Sequence, residues 1–341
     1  MLHTHHPSAT PHVLLRMGTS SYEQEAWRLA LQQAMPDVVW HPENPVDPDI
    51  VPLIQMAVVA NPPAGSLQGY PNLQFVQSLW AGVEKLLADE TVPPDLVISR
   101  MVDPALAAAM GESAVWATLT LHRHYLTYAE QQQRHEWLQL PQVHASRVCV
   151  GVLGLGEMGR QVANRIATMG YNVWGWRQGA QALQGVDSTH VEGADALTRL
   201  DAKVGVVLGP EALPQALAKT HILINVLPLT KHTRGILNAD LFAKLPPGAS
   251  VVNFARGPHV VDADLIDALN QGHLDRAILD VYHQEPLPSD HPFWKHPRIV
   301  LWPHIAARTD PMTATQVVVQ QLRAWAAAEP VRYVVSRSKG Y

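Results

Sequence analysis

Short apolar runs, separated by helical or turn-rich stretches, recur along the whole chain. In the first hundred residues the runs 12–16, 38–40, 55–60, 74–79 and 96–98 lack a helical period and predict strands. Residues 21–35 carry apolar positions at helical spacing and predict the first crossover helix, while the proline-rich pieces 41–52, 61–63 and 93–94 read as loops. Residues 111–133 predict one long helix, with Ala114, Ala117, Thr118, Leu121, Tyr125 and Tyr128 roughly on one period. The rhythm then restarts. Strands are predicted near 149–153, 172–176, 204–208, 222–226, 250–254, 276–280 and 298–302, and a last helix over 311–328. Strands alternating with helices predict an α/β protein of doubly wound parallel sheets, Rossmann-like or flavodoxin-like. The restart and the closing helix divide the chain into a substrate-binding domain over 1–110 and 308–341 and a nucleotide-binding domain over 111–307 inserted into it. The stretch 188–203 fits neither pattern.

Composition narrows the function classes. At 341 residues, 47% hydrophobic and 16% charged, the chain is globular and long enough for two cores. A net charge of −5 without a basic run argues against nucleic acid as a partner. No apolar stretch reaches membrane-spanning length and no signal pattern opens the chain, so a cytoplasmic protein is expected. Cys149 is the only cysteine, which excludes an intrachain disulfide; inside a predicted buried strand it reads as an inert core residue. The histidine-rich opening, residues 1–12, reads as a frayed terminus, and no metal site is expected.

The chemistry starts at Gly154-Leu155-Gly156-Glu157-Met158-Gly159, set between a predicted strand and a predicted helix. In that context the glycines make a tight turn, let backbone approach a pyrophosphate and bring the helix close to the strand. The helix start offers unpaired N–H groups to the phosphates. Arg177 stands 23 positions after Gly154, where an acidic residue would receive the adenosine ribose. A guanidinium there suits a 2′-phosphate, so NADP(H) is favoured, with NAD(H) as the alternative. Three later strands end in polar residues at the edge where open parallel sheets bind ligands: Arg256 after one, Asp280 and Glu285 after the next, His304 after the third. Taken singly, each has a structural explanation as a salt bridge, a turn carboxylate or a core histidine.

Together, VGVLGLGEMG (150–159), VNFARG (252–257), LDVYHQEPLP (279–288) and WPHIAA (302–307) resemble the D-isomer-specific 2-hydroxyacid dehydrogenase family over nearly the whole chain. NVLPLT (225–230), NFARGPHVV (253–261), the run 280–298 and the final Gly340-Tyr341 are similar to its glyoxylate/hydroxypyruvate reductase A branch, from which the strand end Trp176-Arg177-Gln178 departs. The resemblance implies NADPH-dependent reduction of small 2-keto acids, glyoxylate to glycolate and hydroxypyruvate to D-glycerate. It makes His304 the general acid/base, Glu285 the carboxylate that orients it and favours its protonated form, and Arg256 the partner of the substrate carboxylate and ketone. Backbone N–H groups of Trp80, Ala81, Gly82 and Val83 would hold the rest of that carboxylate. Asp280 would contact the nicotinamide amide, with Leu227, Pro228 and Ala255 beside the cofactor, and a homodimer would form through the inner domain. Two alternatives stay open: an NAD-linked dehydrogenase of a bulkier acid, and a dinucleotide-sensing protein like the family's corepressor relatives.

Overall fold

The structure is a computed structural model that describes residues 10–178, 200 and 203–340, so the stretch 188–203 lies almost wholly outside the described residues. In chain order the first elements are β1 (His12–Met17), α1 (Ser21–Ala34), β2 (Val39–His41), β3 (Ile54–Ala60), β4 (Phe75–Ser78), α2 (Glu84–Leu87) and β5 (Val97–Ser99). Two helices follow, α3 (Pro104–His122) and α4 (Tyr125–Gln133), and then β6 (Cys149–Leu153), α5 (Glu157–Thr168), β7 (Asn172–Arg177) and β8 (Val204–Leu208). The chain continues through α6 (Gly209–Leu217), β9 (Ile222–Asn225), α7 (Ala239–Phe242), β10 (Ala249–Asn253), α8 (Asp262–Asn270), β11 (Leu274–Leu279), β12 (Ile299–Leu301) and α9 (Pro311–Ala326). It forms two compact units, Met1–Ala105 with Thr309–Tyr341, and Leu106–Arg308.

The first unit is a five-stranded parallel sheet in the order β2-β1-β3-β4-β5. Its central strands are buried on both faces, which is why they read as unbroken apolar runs rather than alternating ones. Val13, Leu15, Met56, Val58 and Phe75 pack under Trp27 and Leu31 of α1 and Val318 and Leu322 of α9. Leu14, Ile54, Ala57, Val59, Val76 and Ile98 form the core of the opposite face. Ser20 starts α1 by accepting the Glu23 N–H at 3.3 Å, and Asp310 starts α9 by accepting that of Met312 at 2.9 Å.

The second unit is a seven-stranded parallel sheet in the order β12-β11-β10-β9-β6-β7-β8. Strand order reverses at β6, which lies between β9 and β7, so the carboxyl ends of β6 and β9 frame the crevice where doubly wound sheets bind ligands. Val150, Val152, Val162, Ile166, Ile224 and Val252 fill one face; Leu153, Trp174, Leu223, Val251, Leu265 and Leu279 fill the other. The single long helix predicted over 111–133 is two helices. α3 begins seven residues earlier, at Pro104, and His124 breaks the run in the left-handed region at φ 58°. α4 is held by tertiary contacts, with the Arg276 guanidinium of β11 donating to Glu130 at 2.9 Å and to Thr127 at 3.3 Å. Cys149 is half-buried and burial pushes its thiol pKa up, which keeps it in the unreactive form.

Candidate active site

Four loops at the carboxyl edge of the second unit's sheet supply the site. The first follows β6. Gly154 turns the chain at φ 104° and donates its N–H to the Trp176 carbonyl at 3.0 Å, while a Cβ at Gly159 would run into the Gly154 carbonyl. Only glycine therefore lets α5 start so close to β6. Above Gly156 a side chain would meet nothing within 4 Å, which leaves an open cradle at the helix start. The N–H groups of Gly156, Glu157 and Met158 hydrogen-bond to no described residue. Leu155 instead points into the core, against Gly175 of β7. Arg177 closes β7 on the strand next to this loop, half-buried.

The second and third loops follow β9 and β10, and a buried amide pair ties them together. The side-chain amide of Asn225 donates to Asn253 Oδ1 at 3.0 Å, and both residues are fully buried. Asn225 Oδ1 accepts the Leu227 N–H at 3.2 Å; Asn253 Oδ1 accepts that of Ala255 at 3.2 Å, and its amide donates to the Arg256 carbonyl at 2.9 Å. Leu227, Ala255 and Arg256 are thus fixed by two residues to which sequence reasoning gave no role, and Pro228 by a third, His259, whose Nε2 reaches the Pro228 carbonyl at 3.3 Å. The available signal was an asparagine closing each of two otherwise apolar strands, Ile222–Asn225 and Ala249–Asn253. Leu227 and Ala255 are themselves buried, so their backbone, more than their side chains, lines the crevice beside Gly154.

The fourth loop and the end of β12 bring His304 and Glu285 together. His304 Nδ1 donates to Glu285 Oε2 at 2.7 Å, and Glu285 Oε1 accepts the Tyr282 N–H at 2.9 Å. Both side chains keep one side open, 49% exposed for His304 and 35% for Glu285. Partial burial pushes the Glu285 carboxyl up, but the hydrogen bonds from His304 and the Tyr282 N–H, with the charges of His304 and Arg256, outweigh it and lower its pKa. The Arg256 charge thus reaches Glu285, and Arg256, Glu285 and His304 follow the adjacent strands β10, β11 and β12. Gly257 allows this, because a Cβ there would strike the Tyr282–His283 backbone.

His304 sits at φ 56°, a strained backbone for a non-glycine residue. Asp280 over-determines that geometry. Its carbonyl accepts the His304 N–H at 2.9 Å, Oδ1 accepts that of Ile305 at 2.6 Å and Oδ2 that of Ala306 at 3.0 Å. Burial outweighs these bonds and raises the Asp280 pKa. At 1% exposure, its carboxylate is bound to the backbone that follows His304.

In the first unit, the loop after β4 departs in one respect from the expected four-residue nest. The Trp80 N–H is taken by Ser78 Oγ at 3.1 Å, and the half-buried Trp80 ring packs against the core. The N–H groups of Ala81, Gly82 and Val83 hydrogen-bond to no described residue, although the Val83 side chain is buried. Three of the four N–H groups are left for an anion. No helix among the described residues is long and apolar enough to cross a membrane.

A Rossmann sheet with a histidine–carboxylate pair and an arginine gathered at its carboxyl edge defines a dinucleotide-dependent oxidoreductase. The chain belongs to the D-isomer specific 2-hydroxyacid dehydrogenase family, whose NAD binding domain matches residues 115–306. Among its relatives is the glyoxylate/hydroxypyruvate reductase A of Serratia proteamaculans, 35% identical over 94% of this chain and 97% of that protein. Among solved structures, a D-isomer specific 2-hydroxyacid dehydrogenase from Xanthobacter autotrophicus Py2, in complex with NADPH and MES, superposes with a TM-score of 0.87. It is 33% identical and the match covers 98% of this chain and 100% of that one. The NADPH-dependent glyoxylate/hydroxypyruvate reductase of Sinorhizobium meliloti, in complex with NADP and sulfate, gives a TM-score of 0.83 at 30% identity, covering 97% of this chain and 99% of that one.

Proposed function

We propose that the protein reduces small 2-keto acids with NADPH, glyoxylate to glycolate and hydroxypyruvate to D-glycerate. The observation that carries this reading is the grouping of Arg256, Glu285 and His304 at one sheet edge. The residues present fit the cofactor: three unpaired N–H groups and an open cradle at Gly156 suit a pyrophosphate, and Arg177 on the adjacent strand suits a 2′-phosphate. When bound, NADPH supplies the hydride. Arg256 pairs with the substrate carboxylate and polarises the ketone, its fixed charge and forked donors suiting both tasks. In the first unit, the N–H groups of Ala81, Gly82 and Val83 offer an anion nest that suits a carboxylate. With Nδ1 bound to Glu285, His304 Nε2 is the atom that gives its proton to the ketone oxygen, and Glu285 holds the ring in register and stabilises its positive charge.

This reading extends to a homodimer built through the second unit, where Trp137 is 95% exposed and Leu138, Val143, Tyr125 and Trp116 are also open. It also extends to residence in the cytoplasm, in keeping with a single unpaired cysteine. The test is turnover by purified protein of glyoxylate, hydroxypyruvate and bulkier 2-keto acids with NADPH and with NADH, beside light scattering for mass. Efficient NADPH oxidation with the two small acids and a dimeric mass are expected. No turnover with any keto acid, or a clear preference for NADH, would overturn the activity or the cofactor assignment respectively.

A further inference from the structure

The first unit has its own switch point, between β1 and β3, where the order β2-β1-β3 turns back. At the carboxyl edge there lies a cavity of about 490 Å³ whose walls include Arg16, Gln24, Glu25, Arg28, Asn44 and Ser66. Arg16 is only 4% exposed. Its Nη1 donates to the carbonyls of Leu15, His41 and Pro42 at 3.0, 3.1 and 3.4 Å, and its Nη2 to Tyr70 Oη at 2.7 Å. Every one of these acceptors is neutral. Nε has no partner, and Arg16 forms no ion pair with a described residue. The nearby Glu43 carboxylate is bound to His41 Nδ1 at 2.8 Å. A buried guanidinium in such surroundings has lost its water for neutral partners, with only the Glu43 carboxylate, whose pKa its charge helps lower, to balance it from a distance, and an anion that reaches it recovers part of that loss.

The rest of the wall selects among anions. Arg28 is already neutralised by a two-pronged pair with Glu25, at 2.6 and 2.8 Å, so the charged residues of the wall itself leave one positive charge and a carboxylate at the rim. That balance accepts a monoanion and repels a dianion. Ser66 Oγ is buried without a partner, and the amides of Gln24 and Asn44 border the same space. We propose that this cavity binds a small organic monocarboxylate with hydroxyl substituents, its carboxylate on Arg16 and a hydroxyl on Ser66. The site belongs to the first unit alone, with β3 between it and the Ala81–Val83 loop that follows β4.

Met17 and Ala64 line the cavity and carry methyl groups that report on it. In full-length protein labelled at Met and Ala methyls, titration with glycolate is expected to shift the Met17 and Ala64 resonances saturably, and acetate more weakly. Inorganic phosphate is expected to bind at least tenfold more weakly than glycolate. Ala64 is exposed, so Ala64→Trp plugs the mouth without disturbing the core. The Met17 shift should vanish in that variant while keto-acid turnover stays within twofold of the unmodified protein; Arg16→Met should also lose the shift. A Met17 resonance unmoved by glycolate and acetate would overturn the site, as would a glycolate shift that persists unchanged in Ala64→Trp. Phosphate binding as tight as glycolate would overturn the monocarboxylate assignment.

Discussion

In the proposed reaction the chemistry turns on His304 and Glu285, and their hydrogen bonds say how each should fail. Glu285 uses both oxygens, one on His304 Nδ1 and one on the Tyr282 N–H. Glu285→Gln keeps the size but removes the charge that stabilises a protonated imidazole, so kcat should fall on the order of 10²-fold or more, with NADPH affinity nearly unchanged. The lowered pKa of Glu285 has a second consequence. The folded protein holds this proton less tightly than the unfolded chain, so the carboxylate's contribution to stability is complete above the ordinary value of 4.5 and is lost as pH falls below it. Thermal unfolding across pH should therefore show wild type and Glu285→Gln diverging near neutral pH and converging well below 4.5. Asp280 works at one remove, clamping the strained His304 turn through the Ile305 and Ala306 N–H groups. Asp280→Asn replaces one acceptor by a donor facing a donor. Turnover is expected to drop roughly 10- to 100-fold through misplacement of His304, while the KM for NADPH moves little; the two constants measured together check it.

Elements decide how much of this could be read from the chain. Buried parallel strands announce themselves as apolar runs, so all twelve strands among the described residues lie at or within a few residues of where the pattern puts them. Helix ends were less legible. The break at His124 depends on a left-handed backbone and on Arg276 reaching α4 from β11, neither of which has a local signature. The short helices α7 and α8 lie between loops and carry too few turns for a period to emerge. The glycine loop, Arg256, Glu285 and His304 were legible because each closes a strand with polar chemistry. Asn225 and Asn253 were overlooked because their work is done through backbone groups. The packing of α5 on β6 gives the prediction at this scale. Gly159→Ala puts a Cβ into the Gly154 carbonyl, and should cost about 1–3 kcal/mol of stability, together with most NADPH affinity; melting temperature and a binding titration check both.

At the scale of the whole molecule, two α/β units divide the labour. The second carries the glycine loop with His304 and Glu285, while the first carries the proposed Ala81–Val83 nest and a switch-point cavity of its own. The cofactor preference rests on one residue at one strand end. Arg177→Asp exchanges a partner of the 2′-phosphate for a repelling charge. Losing a charge-assisted hydrogen bond of about 1.5–3 kcal/mol should lower the NADPH-to-NADH ratio of kcat/KM roughly 10- to 100-fold. An unchanged ratio would mean that the phosphate is held elsewhere.

The central claim is that His304 and Glu285 act as one unit in delivering a proton to a 2-keto acid. A kinetic cycle with His304→Ala, Glu285→Gln and the double variant, reading kcat for hydroxypyruvate with NADPH, tests it most directly. His304→Ala alone should cost about 10²–10⁴-fold, and the double variant should be no slower than His304→Ala, because an orienting carboxylate has nothing left to orient. Losses that multiply independently, or a His304→Ala enzyme that turns over as fast as wild type, would contradict it.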